Sequence, residues 1–401
     1  MNIGFLHNHN IVPTRGGLER VTFLLAEEFS CRGHSVSFLS GGSPELQAQT
    51  IGYLQVNIPV MTLPSKDIKE RFASYLNSNK IDLLIFQDLC NENLKMMKYV
   101  PGNVCSVVVM HNQPLSILFK ERRVKLHTAN SHLRPKGKLL KLLAITMQGV
   151  FRKLYVKDRG DTYHYIMKHT DQFILLSDRY LPRMMQNVKG LDPARLMAIN
   201  NPITFLPERK NYSQDAKKNI VLMVCRLTDP QKNVTGFIDI WNEFSRKNAD
   251  WEAVIVGDGE DGGRIRKYAE SNKVERLRFE GSSTDVENYY REAKIFCMTS
   301  HYEGWPMTLM EAMAFGCVPV VYDSFEAVHD IMKDGFDGRI VPAFQQHSMV
   351  DALSSLASDA EKIKRMAENA INTVLDFTVD KIVDEWEEKV FPLVEEKKRR
   401  I

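Results

Sequence analysis

The segment KIFCMTSHYEGWPMTLMEAMAFGCVPVVYD, residues 294–323, carries the alternation that decides the fold. KIFCMTS is an apolar run typical of a buried strand, and MTLMEAMAFG has the apolar spacing of a helix that ends at Gly316. The loop between them contains Gly304 and Pro306, and VPVVYD is a second β-branched run. A strand, a loop, a helix and another strand predict one β-α-β unit of a parallel sheet.

The same alternation runs through the rest of the chain. Further strands are predicted at 2–7, 35–40, 82–87, 106–111, 172–177, 219–227, 251–257 and 277–281, and helices at 18–33 and 235–248. The pattern restarts after a turn-rich join near residues 200–215. We therefore expect an α/β protein with two Rossmann-like domains, 1–203 and 204–377, followed by a charged helix at 378–401.

Composition is that of an ordinary globular protein, with 44% hydrophobic and 26% charged residues. The length of 401 residues favours two domains over one. Six scattered cysteines without CxxC spacing predict neither a disulfide framework nor a zinc site, which favours a reducing cytoplasm. Neither a signal peptide nor an apolar stretch of about 18 residues is recognisable. We expect a cytoplasmic protein that is soluble or rests on a membrane surface.

Positive charge is concentrated in one segment. Between Lys120 and Arg159 there are twelve Lys or Arg and two acids, whereas the whole chain has a net charge of only +3. From Leu139, apolar residues recur at helical spacing beside these cations. The pattern predicts either a basic amphipathic helix on an anionic membrane surface or an ordinary core helix with solvated cations. Nucleic acid is disfavoured because aromatic residues are not interleaved with the cations.

In a parallel α/β sheet, ligands bind beyond the carboxyl ends of the strands, so the residues that follow each strand are candidates. Gly16 and Gly17 precede the first helix and predict either a phosphate contact or a simple turn. His111 ends an apolar run and is either a ligand of a phosphate or sugar hydroxyl or a structural histidine. The fingerprint GxGxxG is absent after the first strand, which argues against a nicotinamide enzyme.

The second half offers two cations and two glycine turns. Arg226 ends a strand and Lys232 follows the Asp-Pro turn of CRLTDPQKN, a pair that suits a diphosphate unless both are plain surface cations. Gly257 in VGDGED gives room after the next strand. Gly281 begins a tight turn in FEGSSTDVENYY where backbone groups could hold a base edge.

Two glutamates flank the start of the helix in the opening segment. Glu303 lies in the loop and Glu311 inside the helix, and each carboxylate can accept hydrogen bonds from vicinal sugar hydroxyls. The helix N-terminus between them offers N–H groups to a phosphate. The predicted ligand contacts of this stretch are Glu303, Gly304, Trp305, Met307, Thr308, Leu309 and Glu311.

In this order and spacing, GGLER, CRLTDPQKN, VGDG and EGWPMTLMEAMAFG resemble the retaining nucleotide-sugar glycosyltransferases of the GT-B type, family 4. The element of two glutamates with seven residues between them, EGxP and EA, is the most specific mark. The resemblance covers nearly the whole chain and is strongest at 219–345. Two positions depart from the family pattern: Cys225 stands where a glycine is frequent, and Pro306 removes one N–H donor.

The resemblance implies a donor bound mainly by the C-terminal domain, in a cleft that faces the other domain. Arg226 and Lys232 would hold the diphosphate, Glu311 the ribose hydroxyls and Glu303 the transferred sugar, with His111 near the reacting centre. Gly16 and Gly17 would approach the diphosphate, and the C-terminal helix would pack back on the first domain. Catalytic roles would fall on His111, Glu303, Arg226 and Lys232, without a metal or other cofactor.

The implied reaction moves a hexose or N-acetylhexosamine, with a UDP-sugar favoured, to a hydroxyl of a glycan or lipid-linked envelope or capsule acceptor. Two alternatives remain open at this stage. One is a nucleotide-sugar epimerase or hydrolase with the same fold. The other is a non-catalytic membrane-surface binding protein that has this fold without the enzymatic activity. The sugar, the nucleotide, the acceptor, the linkage and the oligomeric state do not follow from the sequence.

Overall fold

The structure is a computed structural model, and it describes residues 1–8, 11–13, 16–40, 54–57, 65–116, 148–207 and 213–400. Strands and helices alternate along this part of the chain. The thirteen described strands, β1 to β13, are Asn2–His7, Ser35–Ser40, Leu54–Asn57, Leu83–Phe86, Cys105–Met110, Gln172–Leu175, Leu196–Ala198, Lys218–Val224, Glu252–Val256, Leu277–Gly281, Ala293–Met298, Val318–Asp323 and Arg339–Pro342.

Helices lie between most of these strands. The described α-helices, α1 to α15, are Gly17–Cys31, Ser65–Ser78, Asn91–Met97, Gln148–His169, Tyr180–Asn187, Asp229–Lys232, Val234–Phe244, Gly262–Ser271, Val286–Glu292, Met307–Ala314, Val328–Ile331, Gln346–Ala357, Ala360–Thr373, Val379–Lys389 and Phe391–Arg399. The predicted single helix at 378–401 is wrong in detail, because it is two helices. Pro392 stands in the first turn of the second, where its missing N–H costs nothing.

The strands form two parallel sheets. The first has seven strands in the order β3-β2-β1-β4-β5-β6-β7, and the second has six in the order β10-β9-β8-β11-β12-β13. Every pairing is parallel, as in Leu6 opposite Phe86 and Ile295 opposite Val221. Each sheet has one point at which the strand order changes direction. In the first sheet β2 and β4 lie on opposite sides of β1, and in the second β9 and β11 lie on opposite sides of β8. Ligands of doubly wound sheets bind at such switch points.

Three strands of the structure were not predicted from the sequence, and all three lie at sheet edges. β3 and β7 are the outer strands of the first sheet, and β13 is an outer strand of the second. They have only four, three and four residues. Edge strands are often short and lack the long apolar run of a central strand, so no periodicity marks them in the sequence.

The chain divides into two compact units. One contains the described residues of 1–114, 154–204 and 377–400, and the other contains 115–116, 148–153 and the described residues of 205–376. The core of the second unit includes Trp241, Phe237 and Phe244, which are almost completely buried. These aromatic side chains lie on α7 and bury a large apolar area against the six-stranded sheet, which supplies much of the stability of this unit.

The last two helices belong to the first unit. Phe29 of α1 contacts Trp386 edge-on at 6.2 Å between ring centroids and stacks with Phe391 at 5.8 Å. Arg32, just after α1, donates to Asp384 at 2.7 Å. Lys397 pairs with Asp171, which precedes β6, at 2.6 Å. Burial of these aromatic rings therefore holds the last two helices against the rest of the first unit, and the ion pairs fix the orientation of these helices.

Candidate active site

The second unit carries most of the predicted site residues, and those with charged side chains near strand ends follow two neighbouring strands. Arg226 and Lys232 come after β8, and Glu303 comes after β11. β8 and β11 are paired in the middle of the sheet although β9 and β10 separate them in the sequence. Both loops therefore leave the sheet at its switch point, which is where this class of sheet binds ligands.

A buried carboxylate shapes the loop after β8. Asp229 is 5% exposed, and its carboxylate accepts hydrogen bonds from the N–H and hydroxyl of Thr235, each at 2.8 Å. Arg264 adds an ion pair at 3.1 Å. The short helix α6 ends at Asn233 in the left-handed conformation, with φ of 51°. These contacts fix the turn that presents Lys232.

The loops after β8 and β11 are also bonded to each other. The His301 N–H donates to the Gln231 carbonyl at 2.7 Å, and the Thr299 hydroxyl lies 3.2 Å from the Lys232 carbonyl. The Asn233 side chain donates to the Thr299 carbonyl at 3.2 Å. Hydrogen bonds on both sides of Lys232 therefore hold the two loops in a defined relative position.

Lys232 and Glu303 meet directly. The Lys232 Nζ lies 2.7 Å from the Glu303 Oε1, and the two side chains are 19% and 7% exposed. An ammonium group has three N–H donors, so a single bond to Glu303 leaves two for other acceptors. The structure therefore brings together two of the four residues to which the sequence assigned catalytic roles.

Arg226 has a different environment, because its side chain is exposed. The preceding Cys225, which stands where the family resemblance predicts a glycine, is half-buried. Burial raises the pKa of the Cys225 thiol to about 12, so this thiol is protonated at neutral pH. Cys225 thus acts here as a small apolar residue beside an exposed guanidinium.

The glycine of the next loop has a structural function that the sequence did not reveal. Gly257 has φ of 130°, and a Cβ at this position would lie 1.9 Å from the Cys225 carbonyl oxygen. Its N–H donates to the Gly281 carbonyl at 2.7 Å. The room predicted for a ligand at Gly257 is therefore filled by the backbone of Cys225. Gly281 also has positive φ, 74°, and a Cβ there would meet no atom within 4 Å.

The helix after Glu303 begins at Met307, with Pro306 as its N-cap. The prediction of an available N–H at Leu309 is wrong, because this group donates to the Pro306 carbonyl at 3.1 Å. Trp305 is 4% exposed, and its indole N–H donates to the Met310 sulfur at 2.7 Å. Gly304 and Met307 are buried as well, whereas Thr308 is half-buried.

Glu311 lies in the same helix and is 3% exposed. The Tyr290 hydroxyl donates to the Glu311 Oε2 at 2.9 Å. The Tyr290 ring stacks on Phe315, with 5.9 Å between the centroids and 10° between the planes. Tyr290 therefore fixes one oxygen of the Glu311 carboxylate. Tyr290 was not predicted as a site residue, because the sequence shows no signal there beyond an aromatic residue after a turn.

The glycine pair in the first unit lies where it was predicted, at the start of α1. Gly16 is the N-cap, and a Cβ there would lie 3.0 Å from the Glu19 Oε2. An acidic side chain in the first turn interacts favourably with the helix dipole. The same charge opposes a phosphate, so the N-terminus of α1 is a poorer anion site than its glycines suggest.

His111 follows β5, His7 is the last residue of β1, and Gln87 and Asp88 follow β4, which lies between these two strands. The His111 Nε2 lies 2.5 Å from the Gln87 Oε1. His7 lies 3.5 Å from Asp88, which also accepts a hydrogen bond from the Asn8 N–H at 2.9 Å. Burial, followed by the charge of His7, lowers the pKa of His111 to about 3. The His111 ring is therefore neutral at physiological pH.

Three predictions concern metals and membranes. In the part of the chain that the structure describes, no cluster of three or more His, Cys, Asp or Glu side chains is placed to hold a metal ion. Among the same residues, no helix combines the length and apolarity that crossing a membrane requires. The basic stretch from Lys120 and the start of its predicted amphipathic helix at Leu139 lie outside the described residues. The description resumes with α4, on which Leu154 is 57% exposed.

Comparison with known proteins gives matches over both units. Residues 205–373 match the family model of the glycosyl transferases group 1. A relative from Haemophilus influenzae, named as an uncharacterized glycosyltransferase, is 24% identical over 381 residues, which are 94% of this chain and 96% of that protein. An α-1,4-N-acetyl-D-galactosaminyltransferase from Campylobacter jejuni, whose name specifies a PP-undecaprenol-linked glycan, is 27% identical over 193 residues, 48% of this chain and 53% of that protein.

One solved structure shows the likeness of fold. The pneumococcal O-GlcNAc transferase GtfA, determined in complex with UDP and GlcNAc, has a TM-score of 0.72 and 12% identity, and the alignment covers 99% of each chain. This likeness and the two parallel sheets confirm the predicted fold class, an α/β GT-B protein with two Rossmann-like domains. The family match over residues 205–373 and the glycosyltransferase relatives confirm the resemblance to glycosyltransferases.

Proposed function

We propose that this chain, which is a glycosyltransferase with a group 1 match over residues 205–373, takes its sugar from a nucleotide-sugar donor. The observation that carries the proposal is the contact between Lys232 and Glu303 at the switch point of the second sheet. A cation and a carboxylate held 2.7 Å apart suit a ligand with both phosphate and hydroxyl groups. A nucleotide-sugar has both.

Each side chain has a defined part in this proposal. Lys232 and the exposed Arg226 bind the diphosphate, and Glu303 accepts hydrogen bonds from hydroxyls of the transferred sugar. Glu311, with one oxygen fixed by Tyr290, binds the ribose hydroxyls. Backbone groups at Gly281, Gly304, Trp305, Met307 and Thr308 complete the donor contacts. A UDP-sugar is the favoured donor, which agrees with the UDP bound to the pneumococcal relative in fold.

The proposed reaction is retaining and has no covalent enzyme intermediate. The bond from the anomeric carbon to the diphosphate oxygen breaks, and the acceptor oxygen bonds to the same face of that carbon. The proton of the acceptor hydroxyl passes to the departing phosphate. Lys232 and Arg226 stabilise the negative charge that develops on this leaving group. No step uses a metal ion or a cofactor.

The acceptor is proposed to be a hydroxyl of a glycan or a lipid-linked saccharide of a polysaccharide pathway, bound by the N-terminal domain. Support comes from the Campylobacter relative, whose name specifies an undecaprenol-linked glycan. The excess of Lys and Arg between Lys120 and Arg159 suits the anionic membrane in which such an acceptor would lie. The protein would then work on the inner face of the membrane as a peripheral enzyme.

The test begins with thermal-shift measurements of the purified chain with UDP-, GDP- and ADP-sugars. We expect stabilisation by one nucleotide class, followed by mass-spectrometric detection of sugar transfer to a polyprenyl-diphosphate-linked saccharide. If no nucleotide-sugar shifts the melting temperature, the donor site is assigned wrongly. If free sugar appears at the same rate with and without acceptor, the protein is a hydrolase. Liposome flotation with and without anionic lipid tests the membrane part separately.

A further inference from the structure

Gln87 lies in the centre of a polar group at the switch point of the first sheet. It follows β4, which pairs with β1 on one side and with β5 on the other. Gln87 therefore lies between His7, the last residue of β1, and His111, the first residue after β5. Its backbone N–H donates to the Leu6 carbonyl at 3.0 Å, which continues the ladder of the sheet. The side chain is completely buried. The sheet therefore fixes the position of this carboxamide.

The contact with His111 determines which ring nitrogen carries the proton. The Gln87 Oε1 lies 2.5 Å from the His111 Nε2, and an amide oxygen can only accept a hydrogen bond. With the carboxamide oxygen on this side, the His111 Nε2 is the donor. Because the low pKa of His111 keeps the ring neutral, the other nitrogen, Nδ1, has a lone pair and no proton.

The carboxamide nitrogen of Gln87 argues against a purely structural role for this residue. Its Nε2 is buried and has no hydrogen-bond partner among the described residues. A buried donor without a partner costs about 1–3 kcal/mol, and a leucine of similar size would avoid this cost. A glutamine at this position is therefore explained better by what it does to His111 than by packing.

We propose that Gln87 is a positioning residue that holds His111 as the Nε2–H tautomer, so that Nδ1 accepts a hydrogen bond from a sugar hydroxyl. This inference rests on the proposed function only in so far as His111 acts on a sugar. The sequence left both a phosphate and a hydroxyl open as ligands of His111. A nitrogen that can only accept is matched to a hydroxyl proton and cannot donate to a phosphate oxygen.

The test uses nitrogen-15 NMR of the full-length protein labelled at histidine, because the two ring tautomers have different nitrogen shifts. We expect the Nε2–H tautomer for His111 in the wild type and a mixture of tautomers in Gln87→Leu. In Gln87→Glu, which still presents an acceptor oxygen, the Nε2–H tautomer should return. Gln172→Leu is the matched control, since it removes a buried glutamine of the same sheet that does not contact His111.

Turnover separates this inference from the proposed function. We expect Gln87→Leu to lower kcat by roughly 10- to 100-fold, the range known for removing the partner that orients a metal-bound histidine. An Nδ1–H tautomer in the wild type, an unchanged tautomer in Gln87→Leu or full turnover by that variant would overturn the inference. Full turnover by His111→Ala would instead overturn the contact of His111 with the sugar, whatever the tautomer, and would leave the proposed donor site at Lys232 and Glu303 intact.

Discussion

Replacing Lys232 with methionine tests the proposed site and its energetics together. Methionine keeps most of the length of the side chain and removes the charge that lies 2.7 Å from Glu303. The Glu303 carboxylate, at 7% exposed, would then keep its charge in a poorly solvated position. Breaking a buried pair from one side costs about 3–5 kcal/mol, and the partial exposure of Lys232 reduces this to about 2–3 kcal/mol. We therefore expect a folded protein with a lower free energy of unfolding.

The double variant distinguishes stability from function. Adding Glu303→Gln removes the negative charge that Lys232 offsets, so Lys232→Met with Glu303→Gln should recover about 1–2 kcal/mol relative to the sum of the single variants. Sugar transfer should not recover. Since Lys232 stabilises the leaving diphosphate, we expect a loss of roughly 100- to 1,000-fold in kcat in both the single and the double variant.

Urea denaturation measures the stabilities, and initial rates of sugar transfer measure the activity. The matched control is the pair Lys218 and Glu292, which also lies in the second unit at 2.8 Å but is 63% and 47% exposed. The coupling free energy between Lys218 and Glu292 should be at most a few tenths of a kcal/mol. Two results would refute the reasoning. One is additive changes in the free energy of unfolding for Lys232→Met and Glu303→Gln, and the other is a wild-type rate of sugar transfer by Lys232→Met.

Three further predictions concern other parts of the two units. Tyr290→Phe removes the hydrogen bond that fixes the Glu311 carboxylate and should raise the KM for the donor about 10-fold; an unchanged KM in initial-rate measurements would contradict this role. Gly257→Ala places a Cβ against the Cys225 carbonyl at a positive φ and should lower the free energy of unfolding in urea by about 2–4 kcal/mol; wild-type stability would contradict it. The folded-state pKa of His111 is lowered from 6.5 to about 3, so the unfolded state takes up a proton first as the pH falls. Stability should therefore decrease by about 2 kcal/mol between pH 6.5 and pH 5, and His111→Gln should reduce this slope.

Local sequence patterns account for much of the architecture. Central strands such as Lys218–Val224 and Val318–Asp323 are continuous apolar runs, and α10 ends where Gly316 takes a positive φ of 68°. The residues that follow these strands, including Lys232 and Glu303, could be selected because parallel sheets bind ligands at strand ends. Such features depend on neighbours within a few residues, so they can be read without knowing the rest of the fold.

Only the tertiary structure decided which of these residues meet. Lys232 reaches Glu303, 71 residues away, because β8 pairs with β11 and not only with its neighbour in the sequence. The same is true of Gln87 and His111, which lie 24 residues apart and follow paired strands. The sequence alone determined that polar groups would gather at strand ends, whereas the order of strands in each sheet determined the partners. That order depends on long-range pairing and burial, which leave no periodic signal in the chain.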